Sequence, residues 1–515
     1  MDEFQYCDVL EKYLMPYLLG LDVGSSTTKV GLFTLLGKPA YIATRSYEIC
    51  EPRPGFKEQD PEIWWRAVVD GICEVTRRFD ARDILAVGIT GHIVSHVFIN
   101  EAGKPIQPSI SFQDQRSVVE KKEVYETFTR EELTTHLGID LPPAPTWPLP
   151  RLVWMRKHCP RTLETARCML QAKDYINFRL TGELSSDQSS NRGILNLATG
   201  RPSTVVLNRL GIRDDLLPRI QEPADVMGNI SSESSRLTGL IRGIPVTTGW
   251  NDLNASVLGS GTVNEGEAFN ITGTSEHLGL VTAMQSKSPE LICAPFLPGK
   301  FILYGVTSSG GGSLHWYRKT FGREYGNLLR LAEMSPLGSE SLFFLPYLEG
   351  ERAPIWDPNA SGAFIGIRAF HNEGHFVRAI LEGVAYGLLE ILEALEAITK
   401  KQMKPIFVTG GGARIDLWNV IKANVWERPL SVPENVHSAV LGAAMLAGVA
   451  SNQYSNCEAA SSSMLKPVRT INPDEGCSSQ YRDFYARFSD LYPALRKWFV
   501  PACGLQNGIS NNEKV

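Results

Sequence analysis

The chain has no run of about eighteen apolar residues, so no segment is expected to cross a membrane as a helix. It has no C-x-x-C pair either. Its nine cysteines scatter from Cys7 to Cys503, which fits reduced thiols rather than a disulfide framework or a zinc site. A polybasic stripe is missing, and 51 Lys and Arg against 56 Asp and Glu give a net charge of -5, which offers nucleic acid or an anionic membrane no counter-charge. Residues 1–10 hold Asp2, Glu3 and Asp8 and lack the basic and apolar regions of a secretory leader, so the cytoplasm is the expected location. No P-loop is present: Lys29 follows Gly24 at the right separation, but Thr28 stands where that pattern needs a glycine. His371 and His375 have the i, i+4 spacing of a metal pair without a glutamate directly after the first, and read as a solvated helix start.

What is present is an ordinary globular composition, 43% hydrophobic and 21% charged over 515 residues, enough for two large domains with ample cores. Short apolar runs at 84–89, 246–249, 343–346 and 406–408 alternate with amphipathic stretches at 61–79 and 376–398, the pattern of an α/β chain. In the second stretch Val377, Ile380, Leu381, Val384, Leu388, Leu392 and Leu395 recur at helical spacing and read as core. Residues 137–160 are rich in proline and 183–199 in Ser, Asn and Asp; such segments seldom form sheet interiors, and are expected as excursions of the first domain that wall a substrate pocket.

The densest signal is Asp22-Val-Gly-Ser-Ser-Thr-Thr-Lys29, a small-residue turn between two apolar runs. Gly24 permits a tight backbone, Ser25, Ser26 and Thr27 offer hydroxyls and amides to phosphate oxygens, and Asp22 can face the magnesium that accompanies a nucleotide. The arrangement recurs at Gly273-Thr274-Ser275 between the strand-like 268–271 and 277–281, which suggests two related domains that present phosphate-binding turns across a cleft. A third cluster, Gly410-Gly-Gly-Ala413, lies between an apolar strand and a helix carrying Leu417, Val420 and Ile421; it suits a flat ring that must approach backbone closely. Asp252 follows the strand-like 245–249 and precedes a helical pattern, where a carboxylate is either a helix N-cap or a functional group.

These segments carry a resemblance. The chain resembles the FGGY carbohydrate kinases of the sugar kinase, Hsp70 and actin superfamily through Gly20 to Lys29, Phe112-Gln-Asp-Gln-Arg116, Gly249-Trp-Asn-Asp252, Gly273-Thr274-Ser275, residues 344–354 and 357–364, and Gly410 to Ala413, in that order. The resemblance implies two ribonuclease H-like domains of the actin/Hsp70 type flanking a catalytic cleft. It divides the chain into an N-terminal extension (1–16), a sugar-binding and catalytic domain (17–260), a nucleotide-binding domain (261–500) and a tail (501–515).

The resemblance also implies an ATP- and Mg2+-dependent kinase that phosphorylates a small sugar. Asp252 would be the general base that takes a proton from the attacking hydroxyl, and Asp22 the metal-associated carboxylate. Gly24, Ser25, Ser26, Thr27, Lys29, Gly273, Thr274, Gly311 and Gly312 would lie at the phosphates, with Gly411, Gly412 and Asp416 at the adenosine. Asp114 and Arg116 match a segment of the sugar-facing domain. His92 and His96 flank the loop where many xylulose kinases carry Gln-Met-His-Gly, whereas this chain has Ile93 and Val94 at the Met and His positions. Residues 344–364 look most like those kinases, which makes a pentulose such as xylulose the first expected substrate, with other ketoses and polyols as alternatives. A catalytically silent nucleotide or sugar sensor and an assembly ATPase of the same fold are the rivals; retention of Asp22, Thr274 and Asp252 speaks against the first, and the proline-rich excursion with Asp114, which suits a sugar pocket better than a polymer contact, against the second. A homodimer is left open.

Overall fold

An almost uninterrupted apolar run makes strand β1 (Tyr17–Val23), buried along nearly its whole length as a strand covered on both faces must be. In the computed structural model, which describes residues 16–465 and 467–499, β2 (Thr27–Thr34) returns antiparallel to β1 and β3 (Pro39–Ser46) continues the meander. Helix α1 (Pro61–Thr76) starts where the Asp60 side chain accepts from the Glu62 N–H, with Pro61 in the first turn, where a missing N–H costs nothing. Strand β4 (Ile84–Gly91) then pairs parallel with β1. Helices α2 (Pro148–His158) and α3 (Ala172–Thr181) precede β5 (Val226–Asn229), β6 (Pro245–Thr247), the short β7 (Trp250–Asn251) and helix α4 (Asp252–Ser260). The sheet order is β5-β6-β4-β1-β2-β3, with β7 also paired to β4.

The second sheet begins with the hairpin of β8 (Ala268–Thr272) and β9 (Glu276–Thr282). It continues through β10 (Ile292–Pro295), β11 (Phe301–Val306), helix α5 (Gly311–Phe321) and the long helix α6 (Glu373–Thr399). Strand β12 (Ile406–Gly410), helix α7 (Asp416–Trp426), β13 (Leu430–Pro433), helix α8 (Ser438–Ala450) and β14 (Pro467–Ile471) follow. The order is β10-β11-β9-β8-β12-β13-β14. In each sheet the first hairpin strand lies between its antiparallel partner and the next parallel strand, β2-β1-β4 in one and β9-β8-β12 in the other. Shared wiring of this kind is what a duplicated ancestral unit leaves behind.

The chain forms two compact units that part at Gly261/Thr262, but a single cut there does not describe them, because residues 295–297 and 437–465 belong to the first unit. The reason is α8, which is apolar around its whole circumference and therefore needs cover on every side. A Cβ added at Gly20 of β1 would lie 2.2 Å from the Val440 carbonyl oxygen, and one at Gly88 of β4 1.8 Å from that of Ala443. Only glycine lets two strands approach the helix backbone so closely. The expected extension over 1–16, Pro16 apart, and the tail over 501–515 fall outside the described residues.

The two segments read as excursions are more ordered than their composition indicates. Residues 148–158 form α2, with Pro148 in the first turn and Arg151 fully buried. Ser185–Asp187 forms a buried strand parallel to Arg219–Gln221. The cysteines among the described residues are free, and no helix there is long and apolar enough to cross a membrane.

Candidate active site

In the first unit, Asp22 and Lys29 are register partners across the β1–β2 hairpin, with Lys29 Nζ 3.7 Å from Asp22 Oδ2. Burial pushes the Asp22 carboxyl above its usual range, against the opposing pull of Lys29. The turn between them is held through its carbonyls. Gly24 N–H donates to Thr27 O at 2.9 Å and Tyr47 N–H to Ser26 O at 3.0 Å, while Gln59 Nε2 donates to Ser25 O at 2.8 Å and the Tyr47 hydroxyl to Gly24 O at 2.6 Å. The Ser25, Ser26 and Thr27 hydroxyls take no part in these bonds among the described residues, which leaves them for a ligand.

Asp252 is the first residue of α4, and the helix cap falls to its neighbour: Asn251 Oδ1 accepts from Asn254 N–H at 2.9 Å. The N-cap reading of Asp252 is thereby replaced. Its carboxylate accepts from Leu253 N–H at 2.8 Å. Burial, then the negative charge of Asp22, raise its pKa to about 7, while the Leu253 N–H and Arg192 pull it down. A carboxylate poised near neutrality in this way is the state a general base requires.

The sugar-facing expectations change more. Asp114 is saturated by its own chain: Oδ1 accepts from the Arg116 N–H at 2.9 Å and Nε at 2.8 Å, and Oδ2 from the Lys57 N–H at 2.7 Å and Arg116 Nη2 at 2.8 Å. With all four acceptor directions taken, Asp114 orders the segment and has none left for a sugar hydroxyl. The Arg116 side chain is largely covered, paired to Glu58 at 2.7 Å and lying over the rings of Phe56 and Trp154. His92 and His96 are buried, 3% and 1% exposed. His92 Nδ1 lies 2.8 Å from Val23 O, and burial holds the two rings neutral, at pKa values of about 4 and about 3.

In the second unit, the Gly273–Ser275 turn is braced by the start of α5: Gly310 and Gly312 N–H donate to Thr274 O and Gly311 N–H to Gly273 O, at 2.8–2.9 Å. The amides of Gly311 and Gly312, expected at a phosphate, are thus spent on holding the turn, and Thr274 is the exposed group it presents. Gly411 is exposed, and a Cβ there would meet nothing within 4 Å; at Gly412 it would lie 2.0 Å from the Thr272 methyl. Asp416 is exposed and paired with Arg469 at 2.6 Å. His375, read as part of a solvated helix start, is instead buried and caps α6 in a box with Asn372; the described residues hold no cluster of three His, Cys, Asp or Glu that could hold an ion.

Sequence reading missed the buried residues that support these groups: Arg151, Arg192 and the pair Lys422–Glu276. The available signal was a charged residue inside an otherwise apolar stretch, as with Lys422 between Ile421 and Ala423.

The profile of the N-terminal domain of the FGGY family of carbohydrate kinases matches residues 17–259, and that of the family's C-terminal domain matches 268–451. The chain belongs to the FGGY family of carbohydrate kinases. The kinase is 27% identical to the xylulose kinase of Bacillus subtilis over 93% of its own length and 97% of the relative's. It is also 27% identical to the gluconokinase of that organism, over 96% and 99%. The crystal structure of ligand-bound xylulose kinase from Lactobacillus acidophilus superposes with a TM-score of 0.85 at 26% identity, covering 94% of this chain and 99% of that one. The protein is therefore a phosphotransferase with an alcohol acceptor, and its two-unit α/β fold is the one those kinases have.

Proposed function

We propose that this kinase transfers the γ-phosphoryl group of ATP to a primary hydroxyl of a small sugar, with Asp252 as general base, and that a pentulose such as xylulose is the first substrate to test. The observation that carries the base assignment is that Asp252, released from capping by Asn251, holds a carboxylate with a pKa of about 7. As the hydroxyl attacks, Asp252 accepts its proton; phosphoryl transfer is largely dissociative, so orientation of the nucleophile counts for more than its prior ionisation.

The residues of the second unit divide the nucleotide between them, Thr274 at the phosphates and the open face of Gly411 at the adenosine. Within the first unit, the hydroxyls of Ser25, Ser26 and Thr27 and the Lys29 ammonium suit phosphate oxygens. Asp22 fits a magnesium ion: its buried carboxylate opposes Asp252, and a cation would relieve both. Magnesium keeps most of its waters and needs one or two protein carboxylates, so the absence of a three-ligand cluster does not count against it. When bound with ATP it supplies charge neutralisation at the phosphates.

A gluconate-like acid is the second reading, because the gluconokinase relative matches at the same 27% identity as the xylulose kinase. ADP release with ATP and magnesium, measured across D-xylulose, other ketoses, polyols and gluconate, tests both. No turnover on any of them would favour the silent sensor. Asp252→Ala should lose about 10²–10⁴-fold in kcat with nucleotide binding intact; turnover above about a tenth of wild type would remove Asp252 from the role.

A further inference from the structure

The segment that sequence reading took for a pocket wall sets Ser189 against the start of α4. Asp187, Ser189, Asn191 and Arg192 are all buried. The Ser189 hydroxyl donates to Asp187 Oδ1 at 2.7 Å and accepts from Trp250 Nε1 at 2.9 Å and Asn251 Nδ2 at 2.8 Å. One donor and two acceptor positions are all that a hydroxyl has, so these three bonds saturate Ser189, and Asn254 Nδ2, at 3.5 Å, is at the limit of its reach. Asp187 is fixed in turn: its Oδ2 lies 3.0 Å from Lys173 Nζ, which is itself buried and bonded to Asp174 Oδ1 at 2.6 Å and Thr248 O at 3.2 Å. The two residues held by Ser189 immediately precede Asp252, and one of them, Asn251, spends its other side-chain atom on capping the helix that Asp252 begins.

We propose that Asp187 and Ser189 are positioning residues for the phosphoryl-transfer step: they clamp Trp250 and Asn251, and through them fix where the Asp252 carboxylate points. The inference rests on the reading of Asp252 as general base. Asn251 has no second partner for Nδ2 among the described bonds, so loss of the Ser189 hydroxyl leaves a buried amide unpaired at the residue that sets the helix start. The carboxylate one residue on then loses its fixed orientation, and misplacement of a catalytic group by about 1 Å costs on the order of a hundredfold in rate.

The test is a steady-state and single-turnover comparison of Ser189→Ala, Ser189→Cys and Asp252→Ala, alone and with Ser189→Ala and Asp252→Ala combined. The clamp requires kcat to fall about tenfold to a hundredfold in Ser189→Ala, with KM for ATP unchanged and Ser189→Cys, of similar size and weaker hydrogen bonding, between the two. It also requires that Ser189→Ala make no further difference once Asp252 is alanine. An equal loss with or without Asp252, or a rise in KM for ATP at unchanged kcat, overturns the clamp and leaves the base assignment standing. If Ser189→Ala does not fold, the outcome rests on Ser189→Cys, whose wild-type kcat would overturn it. Near wild-type turnover in Asp252→Ala would instead sink the base assignment, and the clamp with it.

Discussion

Lys422 Nζ lies 2.6 Å from Glu276 Oε2, and both side chains are almost wholly buried. The same ammonium reaches Asn270 Oδ1 at 3.0 Å and Thr272 Oγ1 at 3.1 Å and sits over the Trp418 ring at 4.5 Å. It therefore ties α7, which follows the third glycine turn, to both strands of the hairpin that carries the second. One buried cation thus braces both of the turns proposed for the nucleotide. Lys422→Met should cost about 3–5 kcal/mol in urea unfolding, because it strands a buried carboxylate. Lys422→Met combined with Glu276→Gln should recover a large part of that loss, whereas equal destabilisation in the single and double variants would show that packing, not the charge, is at stake.

Asp252→Asn should be more stable than wild type at neutral pH while nearly inactive. The sign follows from the raised pKa of about 7 in the folded chain. Between the ordinary carboxylate range near pH 4 and about pH 7, the folded wild type holds a proton that the unfolded chain has released, so its stability falls as pH rises through that window. Asparagine does not titrate. The melting-temperature advantage of Asp252→Asn, measured without nucleotide or metal, should be small at pH 4, grow up to pH 7 and then level off. A difference that does not change between pH 4 and pH 8 would mean that Asp252 titrates normally.

Gly411 and Gly412 should part company on substitution. The open space beyond Gly411 admits a side chain without disturbing the fold, so Gly411→Leu should melt like wild type and raise KM for ATP by filling the volume an adenosine needs. At Gly412 a Cβ would meet the Thr272 side chain at 2.0 Å, so Gly412→Ala should lower the melting temperature whatever ligand is present. An unchanged KM for ATP in Gly411→Leu would remove this turn from the nucleotide site.

The elements that carry this chemistry were legible to different degrees. The hairpins of β1–β2 and β8–β9 could be read because small polar turns between apolar runs are a local signal. The return of α8 to the first unit could not, since an all-apolar helix does not say which sheet covers it; that is decided by glycines at positions 20 and 88, far away in sequence. Asp252 could be placed at a helix start, but the choice between cap and base hung on a hydrogen bond of Asn251. Asp114 looked like a sugar ligand because a carboxylate next to an arginine is ambiguous until its four donors are counted. Ser189 carried no signal, for a serine in a polar segment is the commonest mark of a loop.

The last prediction concerns Val94, which adopts φ 61°, a left-handed conformation that a β-branched residue takes only under constraint. The constraint is visible on both sides of its peptide unit. Val94 N–H donates to Gln171 Oε1 at 3.0 Å, and the buried Arg151 guanidinium donates to Val94 O while also holding Ile110 O at 3.2 Å and Ser111 O at 2.8 Å. Strain of this sort costs about 1–3 kcal/mol and is retained where a segment must be held in one shape. Here the segment is the loop from Gly91 to His96, the stretch that departs from the Gln-Met-His-Gly of xylulose kinases, so its shape in place of a histidine side chain should set sugar preference. Val94→Gly keeps both backbone hydrogen bonds but relieves the strain and adds backbone freedom, and the looser loop should raise KM for the best sugar about tenfold, the equivalent of 1.4 kcal/mol, with KM for ATP unmoved. Val94→Ala keeps the Cβ and its conformational restriction, and should sit close to wild type. If both variants raise the sugar KM equally, bulk rather than conformation matters at this position; if neither does, the loop does not meet the sugar and the specificity contacts lie elsewhere.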